Sequence, residues 1–272
     1  MLQWKAGELL AIKPYDELTI QDNFLFQKVM RNKRICKLTL ERLLDIEIKD
    51  ISYPEEEKAI DVRLDSKSIR LDVYVNDDEG TVFNIEMQTS KDMEELVKRT
   101  RYYQALIDID LLEKGQSYDA LNDTYIIFIC TFDLFTGKRH KYTFKNLCLE
   151  KPELSLNDGT TKLFLSTKGE MDDISQPLKN FLDYVDGHAP ADELMTEIDS
   201  EVSTAKKREE WRREYMTLAL EIEKAKKKAI EEHVFSEVIE MLKDNLSVDK
   251  IAKYTSLSVE QVRAIAKQQA IT

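Results

Sequence analysis

The chain has 272 residues, of which 42% are hydrophobic and 34% charged, so it can bury a core and still present a highly polar surface. Its net charge of −12 excludes a general nucleic-acid coating protein but not an enzyme that touches DNA through a local basic surface. The longest apolar run, 126–130, is too short to span a bilayer, and the N-terminus lacks a signal-peptide pattern. Three scattered cysteines without metal or redox spacing indicate a cytoplasmic protein.

Two helices are predicted first. One follows Thr19, a residue type that caps helices, and ends near Asn32. Asp22 lies in its first turn, where a carboxylate interacts favourably with the helix dipole, and this role is the simplest explanation of Asp22 taken alone. The second helix covers about 34–44, and weak alternation over 47–53 indicates a strand.

The most informative stretch is 70–88, which predicts two strands joined by a tight polar turn at 76–80. The return strand, 82–88, alternates polar and apolar residues with period two, so its polar residues share one face. These polar residues are Asn84, Glu86 and Gln88. Asp72 lies on the preceding strand, so two carboxylates are predicted close together on neighbouring strands.

The next elements predict an α/β fold. Ser90 begins a helix that ends near Gly115, and the run 124–131 is apolar on both faces, as in a buried central strand. Further strands are predicted over 140–144 and 163–166. This order of helices and strands favours a mixed sheet with helices packed on it.

The composition changes after about Pro190, where a strongly charged region without Gly or Pro predicts one or two long helices. We therefore divide the chain into a core domain (1–190), a charged helical region (191–245) and a tail (246–272). An apolar stripe along the charged region is expected to pack on the core or on a partner chain, and the sequence leaves both open. The stripe consists of Ile222, Ala225, Ala229, Val234, Val238 and Leu242.

The tail predicts two short helices with Ser247 and Ser258 as N-caps, spaced as in a helix-turn-helix pair. Ser256 takes the turn position where Gly is frequent. Plain helix packing and DNA reading by Arg263, Lys267 and Gln268 are equally compatible with this pattern.

Asp72 and Glu86 have the chemistry of a metal site, because close buried carboxylates need a neutralising charge and hard oxygen ligands suit Mg²⁺ or Mn²⁺. The backbone carbonyl of Met87 is a third expected ligand. Gln88 cannot act as a base, but its amide can orient a water or bond a phosphate oxygen. The alternative for this set is a solvent-facing polar side of an edge hairpin.

Six stretches in this order resemble the recombination-promoting nucleases, also described as PD-(D/E)xK nuclease family transposases. They are 22–30, 70–74, 84–88, 99–103, 115–118 and 125–135. The likeness covers roughly 15–190 and implies a restriction-endonuclease-like mixed sheet flanked by helices, with a C-terminal helical extension.

The resemblance implies a Mg²⁺- or Mn²⁺-dependent DNA endonuclease, with Asp72 and Glu86 as metal ligands. Gln88 stands where the superfamily is named for Lys, so catalysis would depend more on the metal or on Lys91. Asp22 matches an additional acid that some members place on the first helix. Arg99 and Gln104 are expected near the scissile phosphate, although packing explains Gln104 better.

The leading hypothesis is therefore DNA phosphodiester hydrolysis in DNA mobilisation, recombination or defence, with DNA as partner. The main alternative is a non-catalytic DNA-binding or regulatory protein that keeps the nuclease fold. A third hypothesis is self-association, as a homodimer, through helices in 200–243.

Overall fold

The computed structural model describes residues 12–53, 59–60 and 69–269, the side chains of 59, 60, 69, 70 and 269 excepted. The chain folds into two compact units. One unit is Asp16–Glu209, and the other comprises the described residues of Met1–Tyr15 and Glu210–Thr272. The larger unit extends past Pro190, where composition predicted the core to end, because helix α5 packs against helices of the core.

A six-stranded mixed sheet forms the centre of the larger unit, in the order β1-β4-β5-β6-β8-β7. β4 and β5 are antiparallel, β5, β6 and β8 are parallel, and β1 and β7 are antiparallel edge strands. The strands are β1 Ile51–Ser52, β4 Val73–Asp77, β5 Val82–Gln88, β6 Thr124–Cys130, β7 Lys141–Phe144 and β8 Thr160–Ser166. A separate antiparallel pair consists of β2 Ala59–Ile60 and β3 Ile69–Arg70. This architecture confirms the predicted α/β restriction-endonuclease-like fold.

The hairpin turn between β4 and β5 is organised by Asp77. Its carboxylate accepts hydrogen bonds from the backbone N–H groups of Glu79 (3.0 Å) and Thr81 (2.8 Å). Gly80 has φ +89°, a conformation that L side chains rarely adopt. The hairpin turn overlaps the predicted one, but β4 continues to Asp77. The prediction that Asp72 lies on the first strand is wrong, because β3 ends at Arg70 in a separate pair and β4 begins at Val73.

Helix α3, Met93–Leu111, covers one face of the sheet. It is capped by Asp92, whose carboxylate accepts from the backbone N–H of Glu95 at 3.0 Å, and not by the predicted Ser90. The buried side chains between α3 and the sheet form one apolar cluster that includes Leu96, Tyr103, Ile107, Ile126, Phe128 and Phe164.

Helices α1, Asn23–Met30, and α2, Lys33–Leu44, precede the sheet in the chain. The first begins after Asp22 and not after Thr19. A turn over 19–22 precedes it, in which the Asp22 carboxylate accepts from the backbone N–H (2.6 Å) and hydroxyl (3.2 Å) of Thr19. α1 contacts β5, and α2 packs on α1.

Two further helices complete the larger unit: α4, Gln176–Val185, and α5, Glu193–Lys206. α5 packs on α1 and α2, and α4 packs on α2 and α5. Asp192 joins these elements, since it caps α5 through the Met195 N–H (3.1 Å) and pairs with Arg42 of α2 (2.8 Å). The sequence prediction did not include α4.

Among its described residues, the smaller unit contains three helices: α6, Glu209–Lys243, whose first residue belongs to the larger unit, α7, Val248–Thr255, and α8, Val259–Gln269. Val238 of α6 is fully buried against the tail, whereas Ile222, Ala225 and Ala229 of the predicted stripe are exposed. Only the C-terminal end of the stripe is therefore covered within the described part of the chain.

Candidate active site

Asp72 lies between β3 and β4, where the chain breaks regular strand geometry. One carboxylate oxygen accepts from the backbone N–H of Met87 on β5 at 3.1 Å. The other accepts from the side-chain amides of Gln27 at 2.9 Å and Asn23 at 3.5 Å, both on α1. Asp72 is thus fixed from two sides, by the neighbouring strand and by the first helix.

Glu86 lies in the middle of β5, and only 3% of its surface is exposed. Its Oε1 atom accepts from the backbone N–H of Asp72 at 3.2 Å. The two acids therefore make reciprocal bonds, since the side chain of each accepts from the backbone near the other. This geometry confirms that the two carboxylates are neighbours and that β5 is a central strand, so the alternative of a solvent-facing edge hairpin is wrong.

The acidic pair is electrostatically unfavourable as it stands. Burial raises the pKa of Glu86 well above its usual value, and the charge of Asp72 raises it further. The Asp72 N–H, Arg99 and the Asn84 amide act in the opposite direction without reversing the shift. A cation bound here would relieve this repulsion.

Arg99 reaches this pair from α3. Its guanidinium donates to Gln88 Oε1 at 3.0 Å, to Glu86 Oε2 at 3.4 Å and to the Tyr103 hydroxyl at 2.8 Å. It also lies over the rings of Tyr103 and Phe128, 5.2 and 5.5 Å from their centroids. Because it is held at several points, this cation is positioned beside the acids rather than free in solvent.

Gln88, at the end of β5, is bonded at both ends of its amide. The oxygen accepts from Arg99, and the nitrogen donates to the backbone carbonyl of Ser90 at 2.9 Å. Gln88, where the resemblance leads us to expect a lysine, therefore bonds an arginine from the next helix.

The other predicted site residues lie at different places. Asp22 occupies the N-cap position of α1, immediately before Asn23, and its carboxylate accepts from Thr19 rather than from an N–H group of the helix. Gln104 is buried and donates to Asp108 at 2.8 Å, which matches a packing role. Lys91 is exposed and lines an apolar groove of about 530 Å³ at the start of α3.

Sequence reasoning missed three residues that shape the site. Asn23 and Gln27 are four positions apart on a mostly apolar helix, and this spacing puts both amides on the face that meets Asp72. Tyr103 follows Arg99 by the same interval and accepts one of its bonds. The i, i+4 spacing of polar residues was the available signal in both helices.

The donor set fits a hard divalent cation. Asp72 and Glu86 supply carboxylate oxygens, and Met87 directs its N–H toward Asp72. Since the N–H and C=O of one strand residue point to the same neighbour, the Met87 carbonyl lies on that side too. Throughout the described residues, no group of three or more His, Cys, Asp or Glu side chains is arranged to hold a metal.

No helix in the portion of the chain that the structure describes is long and apolar enough to cross a membrane. Buried Cys36 and Cys130 have pKa values raised by burial to about 12, so neither is a reactive thiolate.

The sheet order and its flanking helices define the class of restriction-endonuclease-like α/β proteins. The model of the family described as PD-(D/E)XK nuclease family transposase matches residues 23–169, just over half of the chain. The chain therefore belongs to the PD-(D/E)XK nuclease family transposases. Nucleases of this superfamily generally use divalent metals, and membership implies a DNA substrate. Comparison with curated proteins and with solved structures gives no significant match.

Proposed function

We propose that this protein is an endonuclease that hydrolyses phosphodiester bonds of DNA with Mg²⁺ or Mn²⁺, in DNA mobilisation, recombination or defence. The observation that carries the proposal is the reciprocal bonding of Asp72 and Glu86. It holds the buried carboxylate of Glu86 beside the half-buried carboxylate of Asp72, with an arginine on one side and two amides on the other. A purely structural site would need no second acid beside the first.

In this proposal Asp72, Glu86 and the Met87 carbonyl hold the ion. When bound, the ion polarises a phosphoryl oxygen and helps to generate the attacking hydroxide. Gln27 and the Met87 N–H fix the Asp72 carboxylate, and the Asp72 N–H and Arg99 fix that of Glu86. The acids therefore keep their positions when substrate arrives.

Arg99 and Gln88 act on the phosphate in this proposal. The Arg99 guanidinium offers five N–H donors and remains charged, so it stabilises negative charge that develops on the phosphate. Gln88 orients Arg99 through its oxygen. Asp22 assists from the start of α1, Lys91 contacts a flanking phosphate, and Gln104 supports α3 from within.

Nicking of supercoiled plasmid in the presence of Mg²⁺ or Mn²⁺ tests the proposal. We expect cleavage by the wild type, and none by Asp72→Ala. Glu79→Ala, which removes an exposed acid from the hairpin turn, is the matched control and should cut as the wild type does. Equal cleavage by Asp72→Ala and the wild type, or no cleavage with any divalent metal, would reject this function.

A second candidate function is a non-catalytic DNA-binding or regulatory protein that retains the nuclease fold. The observation in its favour is that Gln88 is neutral and already bonded through both amide groups. Calorimetry with Mn²⁺ separates the two functions. A catalytic site binds Mn²⁺ in the wild type and loses it in Glu86→Ala, whereas a regulatory protein shows no Mn²⁺ binding that depends on Glu86.

A further inference from the structure

The two tail helices have the local geometry of a helix-turn-helix motif. α7 ends at Thr255 and α8 begins at Val259, so three residues connect them. Ser256 has φ +58°, in the left-handed region that allows a sharp reversal after a helix. Ser258 and Gln261 then form a reciprocal cap on α8, with bonds of 3.2 and 2.7 Å between each side chain and the other's N–H.

The tail has its own small core. Val238 of α6, Ile251 of α7 and Val262 of α8 are fully buried against one another. Partly buried apolar side chains surround them, namely Val234, Met241, Leu242, Leu246, Val248, Ala252, Leu257 and Ile265. The end of α6, α7 and α8 therefore form a three-helix unit whose apolar side chains are satisfied internally, so the outer face of α8 is not needed for folding.

That outer face is polar and basic. Arg263, Ala264, Lys267 and Gln268 are exposed at positions that recur every helical turn. α7 adds exposed Lys250 and Lys253, and a tyrosine, Tyr254, that is 60% exposed. Residues 248–269 carry four basic and two acidic side chains, a formal charge of +2 in a chain whose total is −12. The charge of this segment is thus opposite in sign to that of the whole chain.

We propose that the unit formed by the end of α6, α7 and α8 binds duplex DNA, with α8 in the major groove. In helix-turn-helix proteins the second helix reads base edges while its partner contacts the backbone. Arg263 is placed to read guanine, where an arginine can make a bidentate contact. Lys250, Lys253 and Lys267 contact phosphates, and Glu260, one turn before Arg263 on the same helix, accepts from a cytosine amino group.

This inference goes beyond the proposed function, because it assigns the choice of DNA sequence to a surface that contains no member of the acidic pair. Sequence-selective binding by the tail directs the protein to particular sites, whereas the acidic pair cuts a backbone that is the same at every sequence. The two proposals therefore fail separately.

The test measures duplex binding by the full-length chain in EDTA, so that cleavage does not interfere. Fluorescent duplexes enriched from a random-sequence pool are compared with unselected duplexes by anisotropy. We expect Arg263→Ala to weaken binding to the enriched duplex about tenfold or more, and to leave binding to unselected duplexes nearly unchanged. Lys253→Ala should weaken both equally and reduce the dependence on salt concentration.

Lys226→Ala is the matched control, since it removes the same charge from an exposed position on α6 outside the three-helix unit. It should bind both duplexes as the wild type does. Equal cleavage by Asp72→Ala and the wild type, or no cleavage by either with any divalent metal, together with selective binding that Arg263→Ala weakens, would reject the proposed function and leave this inference standing. Circular dichroism checks that every variant keeps the helical content of the wild type.

Three results would overturn the inference: no sequence enriched from the pool, equal binding of the enriched duplex by Arg263→Ala and wild type, or equal loss in Lys226→Ala. If Arg263→Ala instead changes the mass measured by light scattering and leaves DNA binding unchanged, the outer face of α8 binds a second copy of the chain and not DNA.

Discussion

Arg99 donates to the side-chain oxygen of Gln88 at 3.0 Å, so a cation from α3 lies beside the neutral amide at the end of β5. The same guanidinium reaches Glu86 at 3.4 Å. The positive charge that a lysine at position 88 would bring is therefore present beside the acidic pair, from a different element of the fold. Replacement of lysine by glutamine does not by itself remove the electrostatic partner of the acids.

Replacement of Arg99 by alanine should lower the rate of plasmid nicking about 10²- to 10³-fold, because a fixed donor to the developing phosphate charge is lost. Arg99→Lys should recover part of the rate, since it restores the charge without the planar fork. Arg101→Ala, at an exposed position two residues along the same helix, is the control and should keep its activity. Wild-type rates in folded Arg99→Ala would restrict Arg99 to a structural role.

Replacement of Glu86 by glutamine should stabilise the protein at neutral pH in EDTA. The pKa of Glu86 is raised in the folded state, so ionisation of this group favours unfolding as pH rises above the usual glutamate value. We expect a gain on the order of 1 kcal/mol, or about 2–4 °C in the unfolding midpoint of a unit of this size.

In Mn²⁺ the wild type should become more stable than Glu86→Gln, because the ion stabilises only the protein that retains both carboxylates. Thermal unfolding with and without Mn²⁺ at pH 7 measures the effect, and near pH 4 the two proteins should differ little without metal. A Glu86→Gln protein that is less stable than the wild type in EDTA would contradict the electrostatic account of the site.

Local patterns identified the strands of the site and the pair of acids. β5 has its predicted bounds, Val82–Gln88, because alternation with period two is bounded by a turn and by Ser90. β6 ends at Cys130, one residue before the predicted end. The proximity of Asp72 and Glu86 followed from the hairpin, since a short turn brings neighbouring strands together.

The parts that could not be predicted depend on packing between distant segments. The bonds from Gln27 to Asp72 and from Arg99 to Gln88 exist only because α1 packs on β5, and α3 on β6, with a particular rotation. No local period encodes that rotation. Helix α4 was missed although Leu178, Phe181, Leu182 and Val185 have helical spacing, because polar residues surround this short segment.

Asp192 links α2 to α5, and its ionisation should make the free energy of unfolding fall as the pH becomes acidic. Burial alone would raise the pKa of Asp192, but bonds from Asn180, the Met195 N–H and Arg42 hold it below its usual value. A lowered pKa means that this contribution is present above the unfolded value, near 4, and is lost as pH falls through the folded value.

Asp192→Asn should therefore lower the free energy of unfolding by about 0.5–1 kcal/mol at pH 7, a modest loss because the ion pair is partly solvated. At pH 3 the loss should be smaller. Urea unfolding at both pH values measures the difference. Asp172→Asn, at an exposed position, is the control and should show little difference from the wild type at either pH. A loss from Asp192→Asn that is the same at both pH values would show that the carboxylate charge does not contribute.

Gly169 packs against His140, and this close approach should make the larger unit intolerant of any side chain at that position. A Cβ atom added to Gly169 would lie 2.6 Å from the backbone nitrogen of His140, and backbone cannot yield as a flexible side chain does. The backbone N–H and ring of His140 are in turn held by Asp173, at 3.3 and 3.0 Å. Gly169→Ala should therefore destabilise the protein by about 1–3 kcal/mol.

Urea unfolding measures this loss. Gly115→Ala is the contrasting variant, because its Cβ meets no atom within 4 Å and its cost arises only from φ +96°. If Gly169→Ala unfolds at the wild-type midpoint, the segment that carries it moves away from His140 without cost.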